Sequence, residues 1–145
     1  MNFFSEIFSN KVLGISMFAC FLAQFIKIFT GKDKFIKLSR IFTSGGMPSS
    51  HSSFVTSLAT LVGIERGFNS TDFAIVAVFA LIIMYDASGV RRAVGKQATI
   101  LNQIVDDIHH GKHIKPDKLK ELVGHTPFEV LMGALLGIVV ALVMV

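Results

Sequence analysis

Two histidines, each set beside a hydroxyl-rich helix start, are the side chains of this sequence best suited to chemistry. His51 lies in Gly45-Gly46-Met47-Pro48-Ser49-Ser50-His51-Ser52-Ser53, and His125 opens the run Gly124-His125-Thr126-Pro127-Phe128-Glu129. In the first run the glycines allow positive φ, Pro48 suits the first turn of a helix, and the serines can cap that turn. Free N–H groups and the positive dipole end make such a start an anion site in outline. In the second run Thr126, Pro127 and Glu129 form a capping box, and Glu129 shares a helix face with His125 four residues earlier. Each run also reads as an ordinary helix cap. Phosphoryl transfer asks for more: a neutral imidazole, a carboxylate holding its tautomer, cations and N–H dipoles for the phosphate oxygens, and an acid for the leaving alcohol.

Four apolar segments position these residues. Val12 to Phe29 has only Gln24 and Lys27 as strongly polar positions and reaches roughly 27 Å, close to a hydrocarbon core. Phe54 to Ile64 is shorter and seeded with Thr56, Ser57 and Thr60, a buried or re-entrant pattern, although counting from Pro48 brings it near spanning length. Phe73 to Tyr85 continues as helix to about Ser88, and Val130 to Val145 forms the last apolar segment. Gly133 and Gly137 have the spacing of close helix packing in lipid, or a chance placement in an Ala/Gly-rich helix. Between the third and fourth segments, Val90, Val94, Ala98, Leu101, Val105 and Ile108 recur with the period of an amphipathic helix lying along a surface. Pro116 to Val123 reads as a further short helix closed by Gly124. Met1 to Asn10 lacks a basic n-region and a cleavage site, so no signal peptide is expected.

Mean hydropathy of +0.63 and 52% hydrophobic residues describe a membrane protein, and 145 residues describe one domain, 1–145. The net charge of +4 comes with no basic face of interleaved aromatics, so nucleic acid is not an expected partner. A single cysteine, Cys20, offers neither a disulfide framework nor a thiolate metal site. If the segments cross in alternation, Gln24 and Lys27, Ser49 to His51, Asp86 with Arg91 and Arg92, and His125 with Glu129 all emerge on one side. Ionisable groups at membrane depth are costly and functional by default. That constellation suits a phosphate ester.

Met47-Pro48-Ser49-Ser50-His51-Ser52, Asp86-Ala87-Ser88-Gly89-Val90-Arg91 and Gly124-His125-Thr126-Pro127 together resemble the divergent branch of the type 2 phosphatidic acid phosphatase superfamily, relatives of vanadium-dependent haloperoxidases. The resemblance runs from about Gln24 to Gly137. Ser50 stands where the wider superfamily has glycine in Pro-Ser-Gly-His, and Lys118 and Leu119 stand where it has Ser-Arg. The resemblance implies His125 as nucleophile, Glu129 as its orienting partner and His51 as general acid. Ser49, Ser50 and Arg92 would bind phosphate, Arg91 would supply the missing guanidinium, and Lys27 with Arg40 would replace the family's leading Lys/Arg motif. Gln24 and Asp86 complete the polar site.

The expected molecule is therefore an all-α membrane bundle of about four embedded helices with amphipathic connections. Its expected activity is hydrolysis of a lipid phosphate monoester or pyrophosphate through a phosphohistidine, with no cofactor and no metal. A non-catalytic scaffold, or a lipid-phosphate binder or carrier, is the alternative. Asp106, Asp107, His109, His110 and His113 hold metal-ligand types, but dense polar residues after an amphipathic helix usually face water. Partners are the lipid phosphate and membrane lipids, and four short segments are compatible with a homodimer. Of the 14 Lys and Arg residues only Lys11 and Arg66 fall opposite the motifs, which puts the site on the cytoplasmic side of the cell membrane. Analogy with membrane lipid phosphatases favours the outer face.

Overall fold

The computed structural model describes residues 2–30, 46–108 and 124–145, apart from the side chains of residues 91, 92 and 107. Among the described residues six helices form: α1 (Phe3–Ser9), α2 (Lys11–Thr30), α3 (Ser50–Arg66), α4 (Thr71–Ser88), α5 (Val90–Ile108) and α6 (Pro127–Met144). The described residues contain no strand, and the protein is a helical membrane bundle. Arg40, the expected helix 116–123 and the polar positions His109, His110 and His113 lie outside the described residues. Among the described residues no group of three or more His, Cys, Asp or Glu side chains is placed to hold a metal.

The helix boundaries follow local chemistry. Asn10 accepts from the Leu13 N–H through Oδ1 at 3.0 Å and starts α2. Ser70 caps α4 by accepting from Phe73 N–H at 3.1 Å, and Gly67 closes α3 with its N–H on the Gly63 carbonyl. Thr126 and Glu129 complete the capping box at the head of α6. One boundary differs from expectation: Pro48 lies before the cap, because Ser49 takes the N-cap position and α3 begins at Ser50. Ser49 is the better cap because its side-chain oxygen accepts from Ser52 N–H, a role proline has no group to fill.

Among the described residues three helical stretches are long and apolar enough to cross a membrane: Lys11–Thr30, Thr71–Asp106 and Pro127–Met144. The shorter α3 stands at their centre, packed against α2, α4 and α6. Polarity is therefore inverted relative to a water-soluble bundle. The inner helix buries Ser50, Ser52, Ser53, Thr56 and Ser57, whereas Phe21, Phe25 and Phe29 of α2, Ile75 and Phe79 of α4, and Leu131 and Leu142 of α6 face outward. Hydrocarbon is the only solvent in which that distribution is stable, since lipid is as apolar as the outer side chains and offers the inner hydroxyls no partners.

Two of these hydroxyls find partners on neighbouring helices instead, while Ser52 Oγ donates to Ser49 Oγ at the head of its own helix and Ser57 Oγ is buried without a partner among the described residues. Ser53 Oγ donates to the Ala19 carbonyl of α2 at 3.0 Å, and Thr56 Oγ1 donates to the Ala134 carbonyl of α6 at 3.0 Å. Such bonds average about 0.6 kcal/mol each in a membrane. Small residues let the backbones come close enough to form them. A Cβ at Gly133 would collide with the Ser49 carbonyl, and one at Gly137 with the Ser53 carbonyl and Thr56 Oγ1. The register Ser49–Gly133 and Ser53–Gly137 shows that α3 and α6 run parallel, while Lys27 against Ser50 and Ala19 against Ser53 show α2 running antiparallel to them. The amphipathic α5 follows α4 after Gly89 and exposes Val90, Val94, Leu101 and Ile108 along one face.

Replacing Gly137 by Leu is expected to destabilise the bundle by about 1–3 kcal/mol through overpacking. Thermal unfolding in micelles measures this. Gly14→Ala, where an added Cβ meets nothing within 4 Å, is the matched change that leaves the melting temperature unchanged or higher.

Candidate functional site

The parallel α3–α6 pair brings two helix N-termini to one end of the bundle. Ser49 N–H donates to the Glu129 carbonyl at 3.0 Å, so the cap of α3 and the first turn of α6 are joined through backbone. The antiparallel α2 delivers its C-terminal turn to the same place. The last turn of α4 arrives there too, where the Ala87 carbonyl accepts from the His125 N–H at 2.9 Å. Thr30 Oγ1 donates to the Met47 carbonyl and ties the end of α2 to the segment leading into α3.

His125 is held from both sides. Its backbone is anchored on α4, and Gly124 before it adopts φ of 115°, a left-handed value open to glycine at little cost. Its Nδ1 lies 3.2 Å from Glu129 Oε2, and the same oxygen accepts from Thr126 N–H at 3.1 Å. An ionised carboxylate only accepts, so it places the imidazole proton on Nδ1 and leaves the Nε2 lone pair free. Only 3% of His125 is exposed. Burial first, and the Lys27 ammonium second, push its pKa below the ordinary 6.5, with a further push from His51; the Glu129 hydrogen bond and charge oppose them. The imidazole is thereby kept neutral near pH 7, the form with a lone pair to give.

Lys27 is the buried cation of the cluster, 4% exposed, with Nζ donating to Ser50 Oγ at 3.5 Å. Ser49 is fully buried, and its Oγ accepts from both Ser52 N–H at 3.3 Å and Ser52 Oγ at 3.0 Å. Its hydroxyl is thus engaged in holding the start of α3. His51 occupies the first turn of α3, exposed, and close enough to His125 to act on its charge. The helix end therefore carries one sheltered and one accessible imidazole.

The remaining expected residues lie around this core. Gln24 sits almost one turn before Lys27 on α2, and its Oε1 is buried with no hydrogen-bond partner. Asp86 is half-buried in the last turn of α4, and the backbone of Arg91 and Arg92 forms the first turn of α5 just beyond Gly89. Sequence reasoning missed the Ala87 carbonyl, the Ser52 hydroxyl and the Thr30 tie. A carbonyl acting as anchor leaves no residue-specific signal, whereas the Ser49-x-x-Ser52 spacing is that of a cap with its N3 residue and was readable.

The cluster predicts the direction of His125 titration. Lys27→Met removes a lowering charge and is expected to move the His125 midpoint upward; Glu129→Gln removes the raising partner and moves it downward. Imidazole Cε1–H shifts in micelles report both. Because the folded pKa lies below the unfolded 6.5, the unfolded chain binds more protons in that interval. The His125 contribution to stability is then full above 6.5 and lost as pH falls through the folded value.

The comparisons with known proteins agree with this architecture. The model of the divergent PAP2 family matches residues 8–140. The chain is 42% identical over 153 residues to the "Uncharacterized membrane protein YuiD" of Bacillus subtilis (strain 168), covering 96% of each chain. No solved structure matches. With a family model spanning nearly its whole length and a membrane protein aligned end to end, this chain belongs to the divergent PAP2 family.

Proposed function

We propose that the protein is a multi-pass cell-membrane phosphatase that hydrolyses a lipid phosphate monoester or pyrophosphate through a phosphohistidine. The observation that carries the reading is the His125–Glu129 pair at the head of α6, joined through backbone to the cap of α3 with the buried Lys27 ammonium beside it. The neutral Nε2 of His125 attacks phosphorus, and the ester P–O bond breaks with its electron pair on the leaving oxygen. That oxygen takes a proton from the His51 imidazolium and departs as the lipid alcohol of a monoester or as the lipid monophosphate of a pyrophosphate. Water then attacks the phosphohistidine, giving its proton to His51; inorganic phosphate leaves and His125 is restored.

Lys27, Ser50 and the N–H groups at the start of α3 stabilise the charge on the equatorial oxygens. Arg91, Arg92 and Arg40 are assigned to the same anion, and Gln24 and Asp86 to the polar rim. Neither a metal nor a cofactor enters this scheme. The substrate and the surrounding lipids are the partners, and a homodimer is compatible with the small bundle. We assign the site side to the cytoplasm, a reading supported by the excess of Lys and Arg there.

Purified protein is expected to release phosphate from a lipid phosphate, with His125→Ala and His51→Ala each lowering the rate by about 10²–10⁴-fold. Vanadate, which imitates five-coordinate phosphorus, is expected to inhibit. Saturable lipid-phosphate binding without release, unchanged in both variants, would instead identify a binder or carrier. For sidedness, a Lys96→Cys variant in a Cys20→Ser background is expected to react with an impermeant maleimide only after cells are permeabilised. Labelling of intact cells would place the site outside.

A further inference from the structure

Around its circumference α5 presents three different stripes. Gly95, Ala98 and Asn102 are buried and face the protein. Val90, Val94, Leu101, Ile104 and Ile108 are exposed, and at about 100° per residue they fall within roughly 80° of one another on the adjoining side. Exposed Ile100 widens that stripe to roughly 120°, with Gln97 its one strongly polar position. Lys96, Gln103 and Asp106, also exposed, lie on the side away from it. Of the five longer helices α5 is the most amphipathic and the least apolar overall.

Where it lies follows from α4. The Ala87 carbonyl holds His125 at the site end of the bundle, so α4 leaves the bilayer there, and α5 begins two residues after Ser88. Gly89 between them departs from helical angles, with φ of −102° and ψ of −82°. Continued straight outward, the 19 residues of α5 would carry the apolar stripe about 28 Å into water. Turned back into hydrocarbon, the helix would strip Lys96, Gln103 and Asp106 of water. Only a helix in the plane of the membrane surface gives both exposed stripes their own medium.

We propose that α5 docks on the lipid surface at the site side of the bundle. Its Val90–Leu101–Ile108 stripe sits among the upper acyl chains, and Lys96 and Gln103 face water. High amphipathicity with low overall hydrophobicity is the signature of such an interfacial helix. The occupant is the bilayer rather than a second copy of the chain, because the stripe is wider than the a/d seam of two paired helices and Ile100 falls outside such a seam. It also follows directly in the chain on the exposed Ile82 and Tyr85 of α4, so lipid-facing surface passes from the span into the interface. Docking holds the backbone of Arg91 and Arg92 at headgroup depth. Nothing in it depends on the chemistry proposed above.

The chain contains no tryptophan, so an introduced one is the sole reporter. Full-length Leu101→Trp and Gln103→Trp are reconstituted in phosphatidylcholine vesicles whose acyl chains are brominated either near the headgroup or near the chain end. Leu101→Trp is expected to emit to the blue of Gln103→Trp and to lose most of its emission to the headgroup-proximal bromines, while aqueous acrylamide quenches Gln103→Trp. Ile104→Trp and Lys96→Trp form a second pair with the same expected contrast, so a misfolded variant in one pair leaves the other to decide. Equal quenching within both pairs overturns the proposal, as does quenching of Leu101→Trp by chain-end bromines alone. Shielding of Leu101→Trp from bromines and acrylamide alike, relieved when the protein is diluted with lipid, overturns it in favour of a second copy.

Discussion

The close parallel contact of α3 and α6 is the constraint on which the remaining structure depends. Gly133 and Gly137 lie against the carbonyls of Ser49 and Ser53, and no larger side chain fits there. That proximity sets the register in which Ser49 N–H reaches the Glu129 carbonyl. Two helix N-termini, each with its own dipole and free N–H groups, are thereby fixed at the same depth. Opposed helices would have put one of the histidines at each face of the membrane, and no shared anion would meet both.

The medium explains why the most polar helix is the innermost. In water a serine-rich helix is stable on the surface; in hydrocarbon its hydroxyls must be satisfied by protein. Ser53 and Thr56 reach carbonyls of α2 and α6, and in doing so they convert a liability into interhelical attachment. The same small side chains make α3 thin enough for three neighbours to approach it. Packing and polarity are one solution here, and the outer helices are left to face lipid with their phenylalanines and leucines.

Burying Lys27 beside a histidine is costly, and its cost has a chemical return. The ammonium has Ser50 and the Glu129 carboxylate within electrostatic reach, so it is compensated without being quenched. Burial first and the ammonium second hold His125 neutral, while Glu129 fixes the proton on Nδ1. The two influences oppose each other in titration and cooperate in geometry. In the proposed reaction such a site is pre-charged for an anion before any ligand arrives.

Much of this was legible in the chain. The apolar segments, the capping box at Thr126, the amphipathic run from Val90 and the convergence of Lys27, His51, His125 and Glu129 on one side all follow from spacing and alternation, because helix period and membrane thickness are fixed lengths. The displacement of Pro48 from the first turn was not legible, since it depended on which of several capping groups won. Nor could the sequence decide that Gly133 and Gly137 form a contact rather than a coincidence, that Ser49 spends its hydroxyl on the cap, or that an Ala87 carbonyl anchors His125. Those are distances between segments far apart in the chain, and backbone approach is set by the mutual fit of whole helix surfaces rather than by the identity of any one residue.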